Sequence, residues 1–482
     1  MPGGRSAQAG SGAGDGGAVT PTAGLSQGRL TFGMCVGVTA VAFESIAVTT
    51  AMPKAAGDLG HLAWYGWVFS TFQVGLLFAS VVAGRMCDRL GPVRPLSLGM
   101  AIFAVGLIVA GSASDMVMLI VGRLIQGVGG GALNVALYVL IARVISEPDR
   151  PRVFSWVSTA WVLPSLAGPP VAAYLTDQLS WRWVFFSVLI LVAVWVVLTV
   201  PNLVTVRRAG LDGGHPGSGA VPIWAAVLVA AAVPAIGVAG QRLDLWAPVI
   251  GVLVVILFVI ALPRVLPAGF FGRGVDRPAS AIRAVVATRG LFAGAFFSTE
   301  VFLPLSLVEG RDMRLLWAGT LLTVGSLGWT AGSWAQSRLG TRMRRDRIIV
   351  AGSCSITFGV AGAAITAYLP ATWIGVVVAV WVVAGFGMGL ATASTSVAIM
   401  RLSSDDAQGR NASSLSVAEA LCNAILVAIA GSIFAALHTT ADASITFGAV
   451  MTLAVVAAAT GIAAATRIGP VYDTDSQDSL GR

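Results

Sequence analysis

The chain has 482 residues, of which 56% are hydrophobic and only 11% are charged. This charged fraction is less than half of the quarter that is usual in soluble domains, so the composition excludes an ordinary water-soluble protein. The net charge of +8 comes from 30 basic residues against 22 acidic ones. Because the arginines recur in alternate loops between apolar segments, topology accounts for the excess and no nucleic-acid partner is needed.

Residues 1–28 are predicted to form a disordered cytoplasmic tail. The stretch MPGGRSAQAGSGAGDGGAVTPTAG is rich in Gly, Ala and Ser and has too few large apolar side chains to build a core. The apolar segment that follows is longer than the roughly 7–15 residues of a signal peptide. We therefore expect it to be the first membrane span.

After the tail, the chain contains fourteen apolar segments, each about 20 residues long, which as helices would cross about 30 Å of hydrocarbon. So many helices without polar faces have no place in a soluble protein. The sequence therefore predicts an all-α polytopic membrane protein with 14 transmembrane helices. The segments are centred near Val41, Val74, Ala104, Gly127, Ser165, Leu191, Val229, Val254, Phe296, Val324, Phe358, Ala384, Val427 and Val455.

The basic residues predict the orientation in the membrane. Most arginines fall in one set of alternate loops, whereas the opposite loops hold only Lys54, Arg182, Arg242, Arg311 and Arg314. By the positive-inside rule the Arg-rich side is cytoplasmic. The even number of spans then puts both termini in the cytoplasm, with the protein in the cytoplasmic (inner) membrane.

A loop of Gly, Pro and charged residues, RRAGLDGGHPGSGAV at 207–221, divides the chain. We predict a six-helix bundle at 29–206, a linker with two extra transmembrane helices at 207–280, a second six-helix bundle at 281–468 and a cytoplasmic tail at 469–482. The two bundles share weak echoes: GRMCDRLG matches SWAQSRLG, and GVGGG matches GFGMG. Parallel six-helix repeats are a transporter architecture with the binding site between them.

The echoes are unequal in charge. Ser337 stands where the first half has Asp88, and Trp381 stands where it has Arg123. The charged machinery is therefore expected mainly in the first half. The cysteines form no CxxC pair and are interpreted as reduced packing thiols, and the three histidines have no metal-ligand spacing.

Three motifs carry a family resemblance. GRMCDRLGPVR (84–94) resembles the loop signature G-x-x-x-D-R-x-G-x-x-R of the major facilitator superfamily. RLIQGVGGGA (123–132) resembles its fourth-helix pattern. LPSLAGPPVAAYLTDQLSWRWVF (163–185) resembles the fifth-helix antiporter signature, with Ala172 and Ala173 in place of its final Gly-Gly. With six, two and six spans, the chain resembles the fourteen-helix drug:proton antiporter branch.

The resemblance implies export driven by the proton-motive force, without a bound cofactor. The partners implied are a small-molecule substrate, protons and membrane lipids, and we expect a monomer. It also implies that a fifth helix carrying Pro164, Gly168 and Pro169 seals against proton leak. Independently, these prolines remove backbone donors and are expected to bend the helix.

The loop motif has a physical interpretation as a gate. Asp88 and Arg89 lie at the cytoplasmic end of the second helix, where Asp88 could accept hydrogen bonds from a neighbouring helix N-terminus. Such a contact would hold the two halves closed on that side. Gly84 and Gly91 would permit close approach and a tight turn, and Arg94 completes the motif. Ordinary juxtamembrane charges are the alternative.

The fourth span carries a polar and glycine stripe. Arg123, Gly127, Gly130 and Asn134 recur at spacings of four, three and four and so share one helix face. Gly127 and Gly131 form a small-xxx-small pair, which favours helix packing. An intramembrane Arg needs a partner or a wet cavity, so Arg123, with Gln126 nearby, is a candidate site residue.

Glu44 is the leading functional candidate. It continues the small-residue face of Gly33, Gly37 and Ala40, which is predicted to pack inward. A charge at mid-membrane costs at least about 2.5–3.5 kcal/mol, so Glu44 is expected to face a cavity or Arg123. A conformational change that alters its burial or this pairing would alter its proton affinity. A permanent ion pair with a purely architectural role is the alternative.

Two further acids lie within spans. Glu300 and Glu419 are candidates for contact with substrate or protons, and Asn423 shares a face with Glu419. Aromatic residues are expected to supply an apolar wall for the pocket. They are Phe43, Trp161, Phe296, Phe297, Phe302 and Trp329.

The sequence thus predicts proton-coupled efflux of small amphipathic compounds by alternating access. No Gly-x-x-x-x-Gly-Lys-Ser/Thr motif is present, so ATP is not the expected energy source. Two alternatives stay open: proton-coupled uptake, or transport of a lipid or metabolite, by the same fold; and a membrane receptor that transports nothing. No nucleophile and base pair or cofactor fingerprint supports an enzyme.

Overall fold

The computed structural model describes residues 26–210, 212, 224, 227–228, 231, 235, 277–340, 342–403 and 408–472. Every regular element in these ranges is helical. The helices of the first half are α1 Gln27–Leu59, α2 Tyr65–Leu90, α3 Val93–Gly111, α4 Met116–Val144, α5 Arg150–Thr159, α6 Val162–Gln178 and α7 Arg182–Arg208. Those of the second half are α8 Arg277–Arg311, α9 Leu315–Leu339, α10 Arg345–Tyr368, α11 Ile374–Leu402, α12 Gln408–Leu437 and α13 Ala443–Ala465.

Ten helices among the described residues are long and apolar enough to span a membrane. The prediction of an all-α polytopic membrane protein is therefore confirmed. Twelve of the fourteen predicted centres fall on described helices, with the fifth span divided between α5 and α6. The two extra helices predicted near Val229 and Val254 lie outside the described residues, so the count of fourteen stays a prediction.

Helix ends follow local capping chemistry. The α1 helix begins at Gln27 because the Ser26 hydroxyl accepts a hydrogen bond from the Arg29 amide at 3.4 Å. Asp115 caps α4 in the same way, accepting from Met118 N at 2.9 Å. Gly91 ends α2 with a φ of 80°, so the tight turn predicted there is confirmed.

The predicted boundaries differ slightly from the helix ends. The α1 helix starts within the predicted tail 1–28, and α8 begins at Arg277, inside the predicted linker. After α13 the chain remains packed: the Asp346 carboxylate accepts from Val471 N at 3.2 Å, and Val471 O accepts from Arg345 N at 2.9 Å. The first residues of the predicted tail 469–482 are thus part of the second half.

The packing partners in the two halves correspond pair by pair. In the first half α4 packs on α2 and α3, and α1 packs on α6 and α7. In the second half α11 packs on α9 and α10, and α8 packs on α12 and α13. The free cysteines Cys35, Cys87, Cys354 and Cys422 form no disulfide among themselves.

Glycines set the close approach of α2 and α4. A Cβ at Gly127 would collide with the Phe72 carbonyl oxygen, and one at Gly131 with that of Leu76. From the other side, a Cβ at Gly75 would lie 2.6 Å from Leu124 O. The predicted small-xxx-small packing of Gly127 and Gly131 is therefore confirmed.

We expect Gly127→Ala to destabilise the protein by about 1–3 kcal/mol, because the added methyl must push α2 away from α4. The matched control is Gly130→Ala on the same helix, where a Cβ would meet only Val41 Cγ1 at 3.6 Å and Phe72 Cζ at 4.0 Å. Thermal unfolding in detergent compares the two variants. Equal melting temperatures for both would contradict this account of α2–α4 packing.

The two halves meet along a seam between helices of the first half and helices of the second. We call the helix ends that carry Arg89, Arg143 and Arg207 the Arg-rich end, and the opposite one the Arg-poor end. Across the seam, Tyr65 Oη donates to Val301 O at 3.0 Å and Thr323 Oγ1 donates to Leu166 O at 3.3 Å. Both bonds lie in the half of the bundle nearer the Arg-poor end.

Backbone contacts close the same end of the seam. A Cβ at Gly66 on α2 would lie 2.7 Å from Gly431 Cα on α12. Further along these two helices, Val74 packs with Ala424 and Ala428. The hydrogen bonds and glycine contacts that join the halves within the described ranges therefore lie toward the Arg-poor end. The conformation is closed there.

Candidate functional site: a buried ion pair at the seam

Glu44 and Arg123 form an ion pair inside the first half. Arg123 Nη1 donates to Glu44 Oε1, which joins α4 to α1. The Glu44 side chain is 0% exposed and that of Arg123 is 2% exposed. The prediction that Glu44 meets Arg123 is confirmed, and the pair is closed to water in this conformation.

The sequence of α1 explains how Glu44 comes to lie beside Arg123. Gly33 and Gly37 pack α1 closely on α7, where added side chains would collide with Thr199 and Trp195. Glu44, further along α1, turns from this contact to α4. The small-residue face thus packs inward as predicted, but its glycines contact α7 whereas its acid contacts α4.

Arg123 also binds the seam helix α2. Its Nε atom donates to Val68 O at 3.2 Å, and its guanidinium carbon lies 4.3 Å from the centre of the Phe72 ring. Arg123 Nη1 donates in addition to Gln126 Oε1 at 2.9 Å. One guanidinium therefore links α1, α2 and α4, so a movement of α2 alters the surroundings of Glu44.

Two polar atoms in this cluster have no hydrogen-bond partner. They are Glu44 Oε2 and Gln126 Nε2, both buried. An unpartnered buried oxygen beside an Arg is costly, and protonation or water entry would relieve the cost. Asn134, on the same predicted stripe as Arg123, is instead exposed and does not join the cluster.

A second ion pair lies in the other half. Arg289 on α8 donates from Nε to Glu419 Oε2 on α12 at 2.8 Å, and from Nη2 to the same oxygen at 2.8 Å. Its Nη1 donates to Thr392 O at 2.7 Å and to Thr395 Oγ1 at 3.2 Å, both on α11. The side chains of Arg289 and Glu419 are 12% and 25% exposed.

Sequence reasoning identified Glu419 but missed Arg289. The available signal was its position in ATRGLFAG, inside an apolar span, where a charge requires a partner. Asn423, one turn beyond Glu419, is buried and its Oδ1 atom has no partner. The expectation that the charged residues concentrate in the first half is therefore wrong, because each half holds an Arg and Glu pair within its membrane spans.

Aromatic rings occupy the position that matches Arg123. Trp381 on α11 stacks on Phe296 of α8, with ring centroids 4.7 Å apart. Phe296 also contacts Trp329 at 5.8 Å, and Phe297 contacts Trp329 at 6.1 Å. Glu300, one turn beyond these rings on α8, is half-buried. This region of the second half combines an apolar wall with a carboxyl group.

The loop motif differs from its prediction at Gly84, and among the described residues Asp88 accepts no hydrogen bond from a helix N-terminus. The α3 N-terminus is capped by Asp212, whose Oδ1 accepts from Val93 N at 3.0 Å. At Gly84 a Cβ would meet nothing within 4 Å, so the close approach predicted there is wrong for this conformation. The empty space beside Gly84 agrees with the position of the hydrogen bonds between the halves, which lie nearer the opposite, Arg-poor end. Arg89 and Arg94 are exposed and Asp88 is half-buried.

The fifth-helix motif lies at the seam. The span is interrupted after Thr159 and resumes at Val162, just before Pro164. Pro169 and Pro170 are within α6, and Pro169 O lies 3.4 Å from the position of a Cβ at Gly319 on α9. Gly168 faces α1: a Cβ placed on it would lie 3.8 Å from Phe43 Cδ2 and 3.6 Å from Ile46 Cγ2. The motif thus contacts both halves.

Relatives of known description support a transporter. The chain is 27% identical over 412 residues to a protein of Mycobacterium tuberculosis described as a probable multidrug-efflux transporter, covering 82% of this chain and 85% of the relative. It is 31% identical over 154 residues to multidrug resistance protein 3 of Bacillus subtilis, covering 32% and 30% of the two chains.

Solved transporters share the fold at low identity. A peptide transporter POT structure has a TM-score of 0.65 at 14% identity and covers 91% of this chain and 94% of its own. The nucleoside transporter NupG has a TM-score of 0.60 at 14% identity and covers 90% and 99%. The Major Facilitator Superfamily model matches residues 34–427. The chain is therefore a multi-pass membrane transporter and not an enzyme, and it belongs to the Major Facilitator Superfamily.

Proposed function

We propose that the protein exports small amphipathic compounds across the cytoplasmic membrane in exchange for protons. The observation that carries this proposal is the buried Glu44–Arg123 pair, which holds a titratable group and the seam helix α2 in one cluster. Alternating access would expose Glu44 when α2 leaves α12, and an ionised Glu44 would favour the paired, closed state. Multidrug efflux among the relatives supports the export direction.

The proposal extends to architecture and orientation. The matching helix contacts of the two halves support a pair of six-helix repeats, and the fourteen-helix antiporter branch adds two helices between them. If the Arg-rich end is cytoplasmic, both termini lie there and this conformation is open to the cytoplasm. Lipids surround a monomer, and the proton-motive force replaces any cofactor.

One proton per transport cycle supplies enough free energy to drive export. A proton that moves inward down about 100 mV releases about 2.3 kcal/mol. At about 1.4 kcal/mol per tenfold, that free energy supports a gradient of about fiftyfold for a neutral substrate. Modest affinity is therefore enough, and the aromatic cluster of Phe297 and Trp329 could bind apolar parts of a substrate.

A drug-susceptibility panel in an efflux-deficient bacterial host tests the proposal. Expression should raise the inhibitory concentration of some amphipathic compounds, and a protonophore should abolish the gain. In inverted vesicles an active compound should reverse the quenching of a pH-gradient dye. If compounds accumulate equally with and without the protein, export is refuted. A protonophore-insensitive gain would refute the coupling.

A further inference from the structure

Arg289 and Glu419 form an ion pair on the seam helix α12, ahead of the residues by which α12 contacts α2. Arg289 fastens α12 through Glu419 and α11 through Thr392 O and Thr395 Oγ1. The same α12 helix then runs along the seam, where Ala424 and Ala428 pack with Val74 and Gly431 packs on Gly66. The ion pair therefore fixes the helix that supplies the second-half side of the closed seam.

The first half has a corresponding arrangement. There Arg123, paired with Glu44, fixes α2 through Val68 O and the Phe72 ring. Each of the two helices that meet in the seam is thus held by an arginine of its own half. The two pairs differ in access, because Glu44 is 0% exposed whereas Glu419 is 25% exposed.

Glu419 has capacity for another bond. Both Arg289 donors meet the Oε2 atom, and no described residue hydrogen-bonds to Oε1. One turn further, Asn423 is 6% exposed and its Oδ1 atom is unpartnered. Glu419 therefore has a free acceptor atom on a partly exposed side chain, whereas the Glu44 side chain is fully buried.

We propose that Arg289 and Glu419 form a second coupling pair, a latch that holds α12 in the closed seam and releases it when Glu419 loses its charge. The inference rests on the alternating-access function proposed above. A proton that binds Oε1 removes the negative charge that attracts Arg289. The guanidinium keeps its bonds to α11 but holds α12 only through a weaker bond to a neutral oxygen, so the closed state loses stability relative to the open one.

Other charged groups on the helices packed against α12 lie elsewhere along their length. On α8 they include Glu300, three turns beyond Arg289, and the remainder stand near helix ends. These are Arg85, Asp88 and Arg89 on α2, Arg277, Arg283, Glu309 and Arg311 on α8, Arg401 on α11 and Arg467 after α13. The titratable set is completed by Tyr65 and Cys87 on α2, by His61 before α2, by Arg410 and Cys422 on α12, and by His438 just after α12.

Spin-label distances across the Arg-poor end test the latch. Labels are placed at Asp58→Cys and Thr440→Cys, exposed positions in the two halves, after the four native cysteines have been replaced. At neutral pH, Glu419→Gln should raise the ratio of separated to close label pairs about tenfold over the parent. Glu309→Gln, an exposed acid on α8, is the matched control and should leave the ratio unchanged.

A double-mutant cycle separates a latch from general damage. Arg289→Gln should open the seam as Glu419→Gln does, and the double variant should open it no further, because the same interaction is lost once. In the parent, lowering the pH should separate the labels, and this response should shrink in Glu419→Gln. Additive effects, or a ratio like that of the control, would overturn the proposal.

The spin-label distances can be measured without a substrate. The latch proposal and the export proposal can therefore be refuted independently of each other. If the labels respond as expected and no compound is exported, the latch stands and the export function falls. If protonophore-sensitive export is found but Glu419→Gln leaves the distances unchanged, the export function stands and the latch falls. If Glu419→Gln fails to fold, the label distances in Arg289→Gln and their pH dependence in the parent still test the latch.

Discussion

Glu44→Gln is expected to reduce proton-coupled export to background while the protein still inserts and folds. Glutamine keeps an oxygen that can accept from Arg123 Nη1, so packing survives. The loss of a charge-assisted bond should cost about 1.5–3 kcal/mol of stability. Because the amide cannot bind or release a proton, no proton can be exchanged for substrate at this site.

Transport assays in inverted vesicles distinguish a loss of proton coupling from a loss of the folded protein. Substrate-dependent reversal of dye quenching should vanish in Glu44→Gln, whereas exchange of labelled for unlabelled substrate should persist because it needs no net proton transfer. Asp58→Asn is the matched control on the same helix. Its carboxylate is exposed and, among the residues that the structure describes, pairs with Lys54 alone at 3.3 Å, an interaction worth little. Coupled export by Glu44→Gln at the parent rate would refute the carrier role.

A second variant tests whether Glu44 is more than architecture. In Glu44→Gln combined with Arg123→Gln, no unpaired charge is buried, so stability should recover relative to Arg123→Gln alone. Coupling should remain absent. If the neutral double variant transports with coupling intact, the pair has only a structural role, and the proton pathway lies elsewhere.

Gly66→Ala is expected to be the most damaging single methyl at the seam. The new Cβ would lie 2.7 Å from Gly431 Cα, a backbone atom on α12 that cannot turn away as a side chain could. Overpacking of this kind costs about 1–3 kcal/mol. Because only the closed state contains the contact, that free energy shifts the molecule toward the form open at the Arg-poor end by about 5- to 150-fold.

Gly57→Ala supplies the comparison. Gly57 is an exposed residue of α1 near the same end, and a Cβ there would meet nothing within 4 Å. Spin-label distances between the halves should lengthen in Gly66→Ala and stay unchanged in Gly57→Ala, with transport slowed only in the former. Unchanged distances in Gly66→Ala would mean that α2 and α12 are not in backbone contact in the membrane.

Some of the site was predictable because membrane burial makes charge conspicuous. Glu44 and Arg123 stand out in apolar spans, and the only economical arrangement for two such opposite charges is to meet. The packing of Gly127 and Gly131 was predictable for a similar reason, since small residues four apart allow two helices to approach closely. In both cases the requirement lies in the residues themselves.

Other features depended on distant parts of the chain. Arg289 meets Glu419 across 130 positions of sequence, and no local pattern indicates which helices will be neighbours. Asp212 caps α3 across 119 positions of sequence. A Cβ at Gly84 would meet nothing within 4 Å, because the contacts between the halves lie nearer the other end in this conformation. A sequence contains no statement about which conformation is occupied.

The sequence by itself determined that the protein is a membrane protein and which spans are helices. It also determined that an acid and an arginine within those spans must be paired. The reason is that hydrocarbon penalises every unsatisfied charge and backbone group. Only the tertiary structure decided that α2 and α12 meet in the closed seam, that each is held by an ion pair of its own half and that Glu44 is fully buried while Glu419 is partly exposed. Those relations arise from contacts between helices far apart in the chain.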